Sequence, residues 1–460
     1  ARLLRFEGTN LDASEISYVR MEQASRAIQI GEETEHDQGG KNTGTLRASH
    51  ISIAGADVVT DGYDTEAVLE LEYVNITSSQ IIGTYPRSEP IRIRWGVIEY
   101  STIASDSYNK GILLEDLSIS NSALTIGCCG ANIEIVSSMV ASSTIQEGDG
   151  SPSGGPLQVS DSEFIDTRID LPAATVIIDS TSFSLMDQDN SISPIVRFGN
   201  GSITDSEFTG LGEGTGIELT GRFGYNIGGN AEIRQTVISD YDVGIKITGI
   251  NTVAITGNEF YRNGSYHIEN RSAKDVDAID NWWGTIDVLE IREKSWDNED
   301  DINYGKILFS PLLMSAEGPS NYIPDVEVDI SPLLGLAPLE VTFTASADDP
   351  DGTIEEYAWD FTGDGNYEYT SSDNGNTTHT YEEDGQYFAT FRAVDDLGLS
   401  NYAVVEIKVL VPGELVEVSG PLQFNTTWTA ELSPYSVVGD VQIPEGITLT
   451  IEPGVEVQYT

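Results

Sequence analysis

Val159-Ser160-Asp161-Ser162-Glu163-Phe164 is a phrase that the chain repeats, and its recurrence decides the fold. Each copy has a β-branched or aliphatic residue, a small polar turn, and then an aromatic or aliphatic residue aimed inward. Relatives of it are Leu117-Ser118-Ile119-Ser120-Asn121-Ser122, Val176-Ile177-Ile178-Asp179-Ser180-Thr181-Ser182-Phe183 and Ile203-Thr204-Asp205-Ser206-Glu207-Phe208. Later ones are Ile233-Arg234-Gln235-Thr236-Val237-Ile238 and Ile255-Thr256-Gly257-Asn258-Glu259-Phe260. Their spacing, about 20 to 30 residues, is the length of one solenoid coil. Alternation of Ile/Val with Ser/Thr/Asp puts one face of each strand inward and the other in water. A single coil leaves its backbone groups unpaired above and below. Stacking satisfies them and buries a continuous Ile/Val/Phe column. Ser and Asn at the corners suit tight turns and can stack on their counterparts in the next coil. An antiparallel sandwich would need hairpin signals at regular intervals, and this region carries repeated phrases instead.

The ladder closes at Asn281-Trp282-Trp283-Gly284, and a charged tail leads to Pro311-Leu312-Leu313. These features resemble the C-terminal end of right-handed parallel β-helix repeat proteins of the pectate-lyase-like superfamily. The resemblance implies that Trp282 and Trp283 cap the last coil, two bulky rings shielding the end of an apolar column from water. Stacking against a carbohydrate is the competing role for these rings.

A Gly/Pro/Ser linker at Pro319 to Pro324 opens a second module. Ala337-Pro338-Leu339-Glu340-Val341-Thr342-Phe343, Tyr357-Ala358-Trp359-Asp360-Phe361-Thr362-Gly363-Asp364-Gly365 and Ala393-Val394-Asp395-Asp396-Leu397-Gly398 resemble the PKD domain, an immunoglobulin-like β-sandwich. Trp359 and Phe361 alternate with Asp360, as a strand with one buried face should. Tyr381, Tyr387 and Phe391 are then expected between the sheets. Beyond it, Val437-Val438-Gly439-Asp440-Val441 and Gly446-Ile447-Thr448-Leu449-Thr450-Ile451-Glu452-Pro453-Gly454-Val455-Glu456-Val457 look like the leading strands of a parallel β-helix. The expected fold is all-β: a right-handed parallel β-helix solenoid over 1–318, a PKD-like sandwich over 319–411, and a β-helix head segment over 412–460.

This order is circularly shifted from the usual head, coils and cap. Leu3, Leu4, Phe6, Ile16 and Val19 read as a β-helix already under way, without a head. The head itself offers Val437, Val441, Ile443, Leu449, Ile451, Val455 and Val457. Strand addition between these two sets would join copies of the chain head to tail, and a heterologous contact of that kind propagates. The same pattern fits one repeat of a giant adhesin or surface-layer protein whose copies follow covalently. The start at Ala1 fits a processed chain or an excerpt.

Composition narrows the partners. Across 460 residues, 75 acidic and 23 basic side chains give a net charge of -52, which excludes nucleic acid and anionic membranes as expected partners. Such charge repels itself unless salt or divalent cations screen it, so an extracellular or cell-surface location is expected. The plainer reading is that acidity keeps a large surface soluble. No apolar run is long enough to span a membrane. The only two cysteines, Cys128 and Cys129, are adjacent and so poorly placed to bridge. Asn-x-Ser/Thr sequons at Asn75, Asn200, Asn263, Asn270, Asn376 and Asn425 are candidate glycosylation sites.

The pectate-lyase resemblance raises an enzyme reading: cleavage or binding of uronate-rich glycans in a groove of the helix. A lyase needs carboxylates holding a cation and an Arg or Lys base. Arg92, Arg94 and Lys246 are the basic candidates, and none comes with clustered Asp. His36, His50, His267 and His379 are scattered, without metal-ligand spacing. No catalytic residue is assigned, and a structural role is expected. Ca²⁺ is the one cofactor considered, from Asp348, Asp349, Asp351 and Asp395 in neighbouring loops of the sandwich, as the PKD resemblance implies. The alternative for these residues is turn formation beside Pro350 and Gly352.

Overall fold

The computed structural model describes residues 2–6, 14–17, 19–22, 26–30, 43–60, 66–83, 91–105, 111–127, 132–148, 155–186, 193–221, 229–249, 252–411, 416–422 and 425–459. His36, Cys128 and Cys129 lie outside these residues. The chain forms two compact units, residues 1–285 with 289–319, and 286–288 with 320–460.

The first unit is a parallel β-solenoid. Among the described residues, 31 strands between Arg2 and Leu308 join in one ladder. Pairing is in register, so each side chain meets its counterpart one coil away, about 4.8 Å distant. One apolar column runs Leu4, Ile28, Val58, Ile81, Ile103, Leu124, Ile145, Ile169, Val196, Ile217, Ile245, Ile268. From Ile28 onward every member is buried. A second column carries the rings of the repeated phrase: Phe164 stacks on Phe183 at 4.8 Å, and Phe183 on Phe208 at 4.4 Å. Ile238 and Phe260 continue it, and Trp283 covers Phe260 at 5.1 Å. Phe309 meets Trp283 edge-on at 5.9 Å. Trp283 is therefore buried at the end of the column, while Trp282 is half-buried and bridges to Glu259.

The polar corners build ladders of their own. Backbone N–H groups at Ala56, Ser79, Ser101, Ser122 and Ser143 donate in turn to the hydroxyls of Ser79, Ser101, Ser122, Ser143 and Thr167. Each of these hydroxyls donates onward to the carbonyl two residues earlier, as Ser122 does to Ser120 at 2.7 Å. Buried backbone donors at the corner are satisfied without water. Asn258 and Asn281 take over this job near the cap. The residue just before such a small polar residue adopts a left-handed backbone, with φ of 50° at Asp161, 48° at Ser180 and 48° at Asp205. Asp and Asn tolerate this conformation better than most non-glycine residues. His50, Tyr73 and Trp95 occupy it too, with φ between 53° and 55°. Their rings stack on one another, at 4.8 Å and 5.1 Å.

Charged side chains on the outward face alternate in sign from coil to coil. One column reads Arg47, Glu70, Arg92, and a second reads Glu72, Arg94, Glu115. A third reads Asp170, Arg197, Glu218, Lys246, Glu269. Ion pairs of 2.9 Å (Arg47–Glu70), 3.0 Å (Arg92–Glu70), 2.6 Å (Arg94–Glu115), 2.8 Å (Arg197–Asp170) and 2.9 Å (Lys246–Glu269) bind successive coils.

The second unit holds the sandwich and the head. A three-stranded sheet carries Asp325–Ser331, Leu339–Asp348 and Thr377–Tyr381, and a five-stranded sheet carries Ile354–Asp360, Gly385–Asp395 and Ser400–Leu410 with two short strands. Ile330, Val341, Phe343, Trp359, Phe391 and Ile407 fill the space between them. Trp359 Nε1 donates to the Gly375 carbonyl at 2.7 Å, and the Tyr381 hydroxyl to the Phe361 carbonyl at 2.9 Å. Both buried aromatics thus have their polar atoms matched.

Candidate assembly interface

The head is a fragment of parallel coil. Val416–Pro421 pairs with Tyr435–Gln442, which pairs with Val457–Tyr459, and Thr426–Trp428 pairs with Leu449–Ile451. Trp428 over Ile451 and Tyr435 over Val457 set a coil of 23 and 22 residues. The same arithmetic gives 22 residues in the solenoid from Leu69 to Ile91 and 21 from Ile91 to Ile112. Trp428 stacks on Tyr435 at 4.8 Å, and with Leu432, Val416 and Leu410 they form a small buried core. Val437, Leu449, Val455 and Val457 pack against it and stay half-buried.

On the other side the apolar column is open. Ile443 and Ile451 are half in solvent and Tyr459 is 83% exposed. With Trp428, Val437, Val441, Leu449 and Val457 they line a groove of about 570 Å³. Among the described residues, the outer strands Leu449–Ile451 and Val457–Tyr459 each pair on one side only. Trp428 and Tyr459 are additions to the set read from sequence, and their inward parity in the strand phrase is the signal that could have found them.

At the far end of the chain, Arg2–Phe6 pairs with Arg26–Ile30 alone, and Ser14–Ser17 with Thr43–Ala54 alone, among the described residues. Leu4, Ile16 and Val19 are half-buried there, where the columns behind them are closed. Leu3 and Phe6 are described as backbone of the first strand only.

The loops of the sandwich bring part of the acidic set together. Gly352 lies between Asp349 and Asp396: a Cβ on it would fall 2.5 Å from Asp349 Oδ2 and 2.1 Å from Asp396 Oδ1. Asp349 Oδ2 is buried without a hydrogen-bond partner. Burial, then the nearby Asp351 and Asp395 carboxylates, raise the Asp349 carboxyl above its ordinary value. Asp395, by contrast, is fully engaged. Its Oδ1 accepts from the Leu397 and Leu399 N–H groups, and its Oδ2 from Asn321 at 2.8 Å. Asp348 ends its strand opposite Asp325, exposed. Among the described residues it is a different trio, Asp360, Asp364 and Glu368, that places carboxylate oxygens within 4.8 Å of one another. Asp360 is the buried organiser of that turn, accepting the N–H groups of Thr362, Gly363, Asp364 and Gly365. The Asp-Phe-Thr-Gly-Asp-Gly phrase carried Asp360 and Asp364 in sequence, and Glu368 lies three residues beyond it.

The sequons separate by accessibility. Asn263 and Asn270 are buried: Asn263 Nδ2 donates to the Ile238 carbonyl, and Asn270 Nδ2 to the carbonyls of Lys274 and Gly305. A glycan on either amide would break a coil, which removes both from the candidate glycosylation sites of the folded chain. Asn75, Asn200, Asn376 and Asn425 are exposed.

Residues 331–409 match the family model of the PKD domain, and this stretch is a PKD immunoglobulin-like domain. No curated protein matches the chain. Solved structures are similar to parts of it. One, from work on the promiscuous specificity of carbohydrate-binding modules of the β-sandwich superfamily, is 32% identical over 23% of this chain, with a TM-score of 0.19. The chain spans 40% of that structure's length. The PKD1 domain of Vibrio anguillarum Epp is 29% identical over 20% of this chain and 99% of its own, with a TM-score of 0.17. The PKD domain of an M14-like peptidase from a Thermoplasmatales archaeon is 26% identical over 19% of this chain and 92% of its own, with a TM-score of 0.16.

Proposed function

We propose that this protein is a structural unit of an extracellular surface array, in which the head of one unit completes the β-helix of the next. The observation that carries this reading is the open apolar edge at Ile443, Ile451 and Tyr459, on strands with the coil length of the solenoid. Exposed edges of this kind recruit further strands. The parallel sense is the same in both partners, so the outer edge of the head matches the edge of the first coil. The mating surfaces differ, so units add end to end instead of closing a dimer. The acidic surface and the PKD module support an extracellular site.

A structural role accounts for the basic residues better than catalysis does. Arg92, Arg94 and Lys246 are each held by a carboxylate of an adjoining coil. Calcium has a candidate place at Asp349 and Asp351 with Asp396, where the orphaned Asp349 Oδ2 suits a hard cation.

Sedimentation velocity and negative-stain electron microscopy of the full chain test the reading. Fibres with a repeat of one solenoid plus one sandwich are expected, and Ile451→Asp with Tyr459→Asp should leave single units. A wild-type chain that stays monomeric at high concentration, in high salt with calcium, would overturn it.

A further inference from the structure

The six Asn-x-Ser/Thr sequons differ in what their carboxamides do. Five use the side-chain oxygen to hold a backbone N–H. Asn200 Oδ1 accepts from the Asn230 N–H at 3.2 Å, Asn376 from Ala345 at 3.0 Å and Asn425 from Thr448 at 2.8 Å. In the buried pair, Asn263 accepts from Tyr241 at 3.1 Å and Asn270 from Ser272 at 3.0 Å. These amides are fixed in orientation, and a sugar on the nitrogen has to fit around a bond that the fold uses. Asn75 is different. It lies exposed in the strand Glu66–Thr77, and among the described residues its carboxamide holds no hydrogen bond. Its register partners one coil to either side are Ser52 and Val97. Thr77, the third residue of the sequon, stands on the same face of the strand.

The surface around Asn75 is apolar. Tyr73, two residues earlier, is 52% exposed, and Trp95 and Val97 on the next coil are each 37% exposed. Tyr73 stacks between His50 and Trp95, so the rings cover one another's faces and turn their edges to solvent. Residues two apart on a strand are separated by about 6.6 Å and register partners by about 4.8 Å, so a sugar on Asn75 reaches both Tyr73 and Val97. We infer that Asn75 is a glycan-bearing residue of the folded chain, and that the first sugars of its glycan cover the surface of Tyr73, Trp95 and Val97. This rests on the extracellular part of the reading above and adds a modification site to it. The donor is a lipid-phosphate-linked oligosaccharide, used by a transferase of the secretory route. Asn75 Nδ2 attacks the anomeric carbon and forms the N–C bond as the bond from that carbon to the phosphate oxygen breaks. The lipid phosphate leaves with the electron pair, and the amide proton passes to a base of the transferase. Once attached, the C–H groups of the sugar shield the ring edges and Val97 from water while its hydroxyls stay solvated.

Secreting the full chain from a cell with an N-glycosylation pathway tests this, whatever the chain's native location. Glycopeptide mass spectrometry of the folded, secreted chain should find Asn75 occupied at least about threefold more often than Asn200, Asn376 or Asn425. Asn75→Gln should remove most of the carbohydrate mass. Trimming the glycan to its first sugar should leave the melting temperature unchanged, and the Asn75→Gln chain should melt lower. In a Tyr73→Ala background the glycosylated and Asn75→Gln chains should melt together, because the contact that separates them is gone. Equal or greater occupancy at another exposed sequon, or a folded secreted chain bare at Asn75, would overturn the inference. Occupancy at Asn75 without a melting difference would overturn the covering of the apolar surface. Fibres formed by a chain bare at Asn75 would refute this inference and leave the array reading standing; a chain glycosylated at Asn75 that never assembles would do the reverse.

Discussion

Replacing Ser122 by alanine should cost the solenoid far more than its one oxygen atom suggests. The Ser122 hydroxyl accepts the Ser101 N–H at 3.1 Å and donates to the Ser120 carbonyl at 2.7 Å. That carbonyl keeps a second donor, the Tyr100 N–H at 3.1 Å, so its loss is partial. The Ser101 N–H has no such reserve in a buried corner. Leaving a buried donor unpaired costs about 1–3 kcal/mol, against about 0.5–1.5 kcal/mol for an ordinary hydrogen bond exchanged with water. Ser122→Ala is therefore expected to destabilise by about 2 kcal/mol. Ser122→Thr keeps the oxygen, and Thr167 fills the equivalent place at the end of the same ladder, so it should cost under about 1 kcal/mol. Ser118→Ala, on the outward face of the strand Ile112–Ser120 just before that corner, serves as the control and should stay within about 0.5 kcal/mol. Urea unfolding gives the midpoints, and hydrogen exchange at the Ser101 amide reports the corner directly. If Ser122→Ala matched Ser118→Ala in both, the hydroxyl ladder would be an ornament of the turn and the reasoning would fall.

Two further outcomes follow from titratable groups. His267 is buried, its Nδ1 facing Asn263 Nδ2 at 3.0 Å, and burial with the nearby Lys294 charge pulls it down to about 4. The unfolded chain takes a proton near pH 6.5 and the folded one does not, so stability should fall as pH drops from about 6.5 toward 4, by at most about 3 kcal/mol. His267→Gln should flatten the limb between pH 6.5 and 5 in denaturant titrations; an unchanged slope would count against it. Asp349 runs the other way: its raised carboxyl makes the ionised form a cost that sets in as pH rises past the ordinary carboxylate range. Asp349→Asn should raise the melting temperature at neutral pH in EDTA and remove any gain on adding millimolar calcium, and a lower melting temperature in EDTA would contradict this.

The solenoid was readable because parallel in-register stacking makes the sequence repeat itself. Phe164, Phe183 and Phe208 sit in equivalent phrases and do form one stack. The sandwich was readable because a core strand alternates, buried Leu339, Val341 and Phe343 with exposed Glu340, Thr342 and Thr344. What lay hidden was pairing between coils. Asp170, Arg197, Glu218, Lys246 and Glu269 are separated by uneven loops, so their column has no fixed period in sequence. The accessibility of a sequon is hidden for the same reason. Asn263 and Asn425 carry equivalent tripeptides, and only the coil geometry buries one and exposes the other.

A solenoid buries its sides by construction, so its stability problem is confined to its two ends, where an apolar cross-section meets water. At one end the problem is solved within the chain. Trp283 lies flat on Phe260 with Phe309 at its edge, and the column stops. At the other, Leu4 and Ile16 stay half-buried over closed columns, and the strands keep an unpaired edge among the described residues. The head presents the complementary deficit, an apolar column with one edge satisfied and one open.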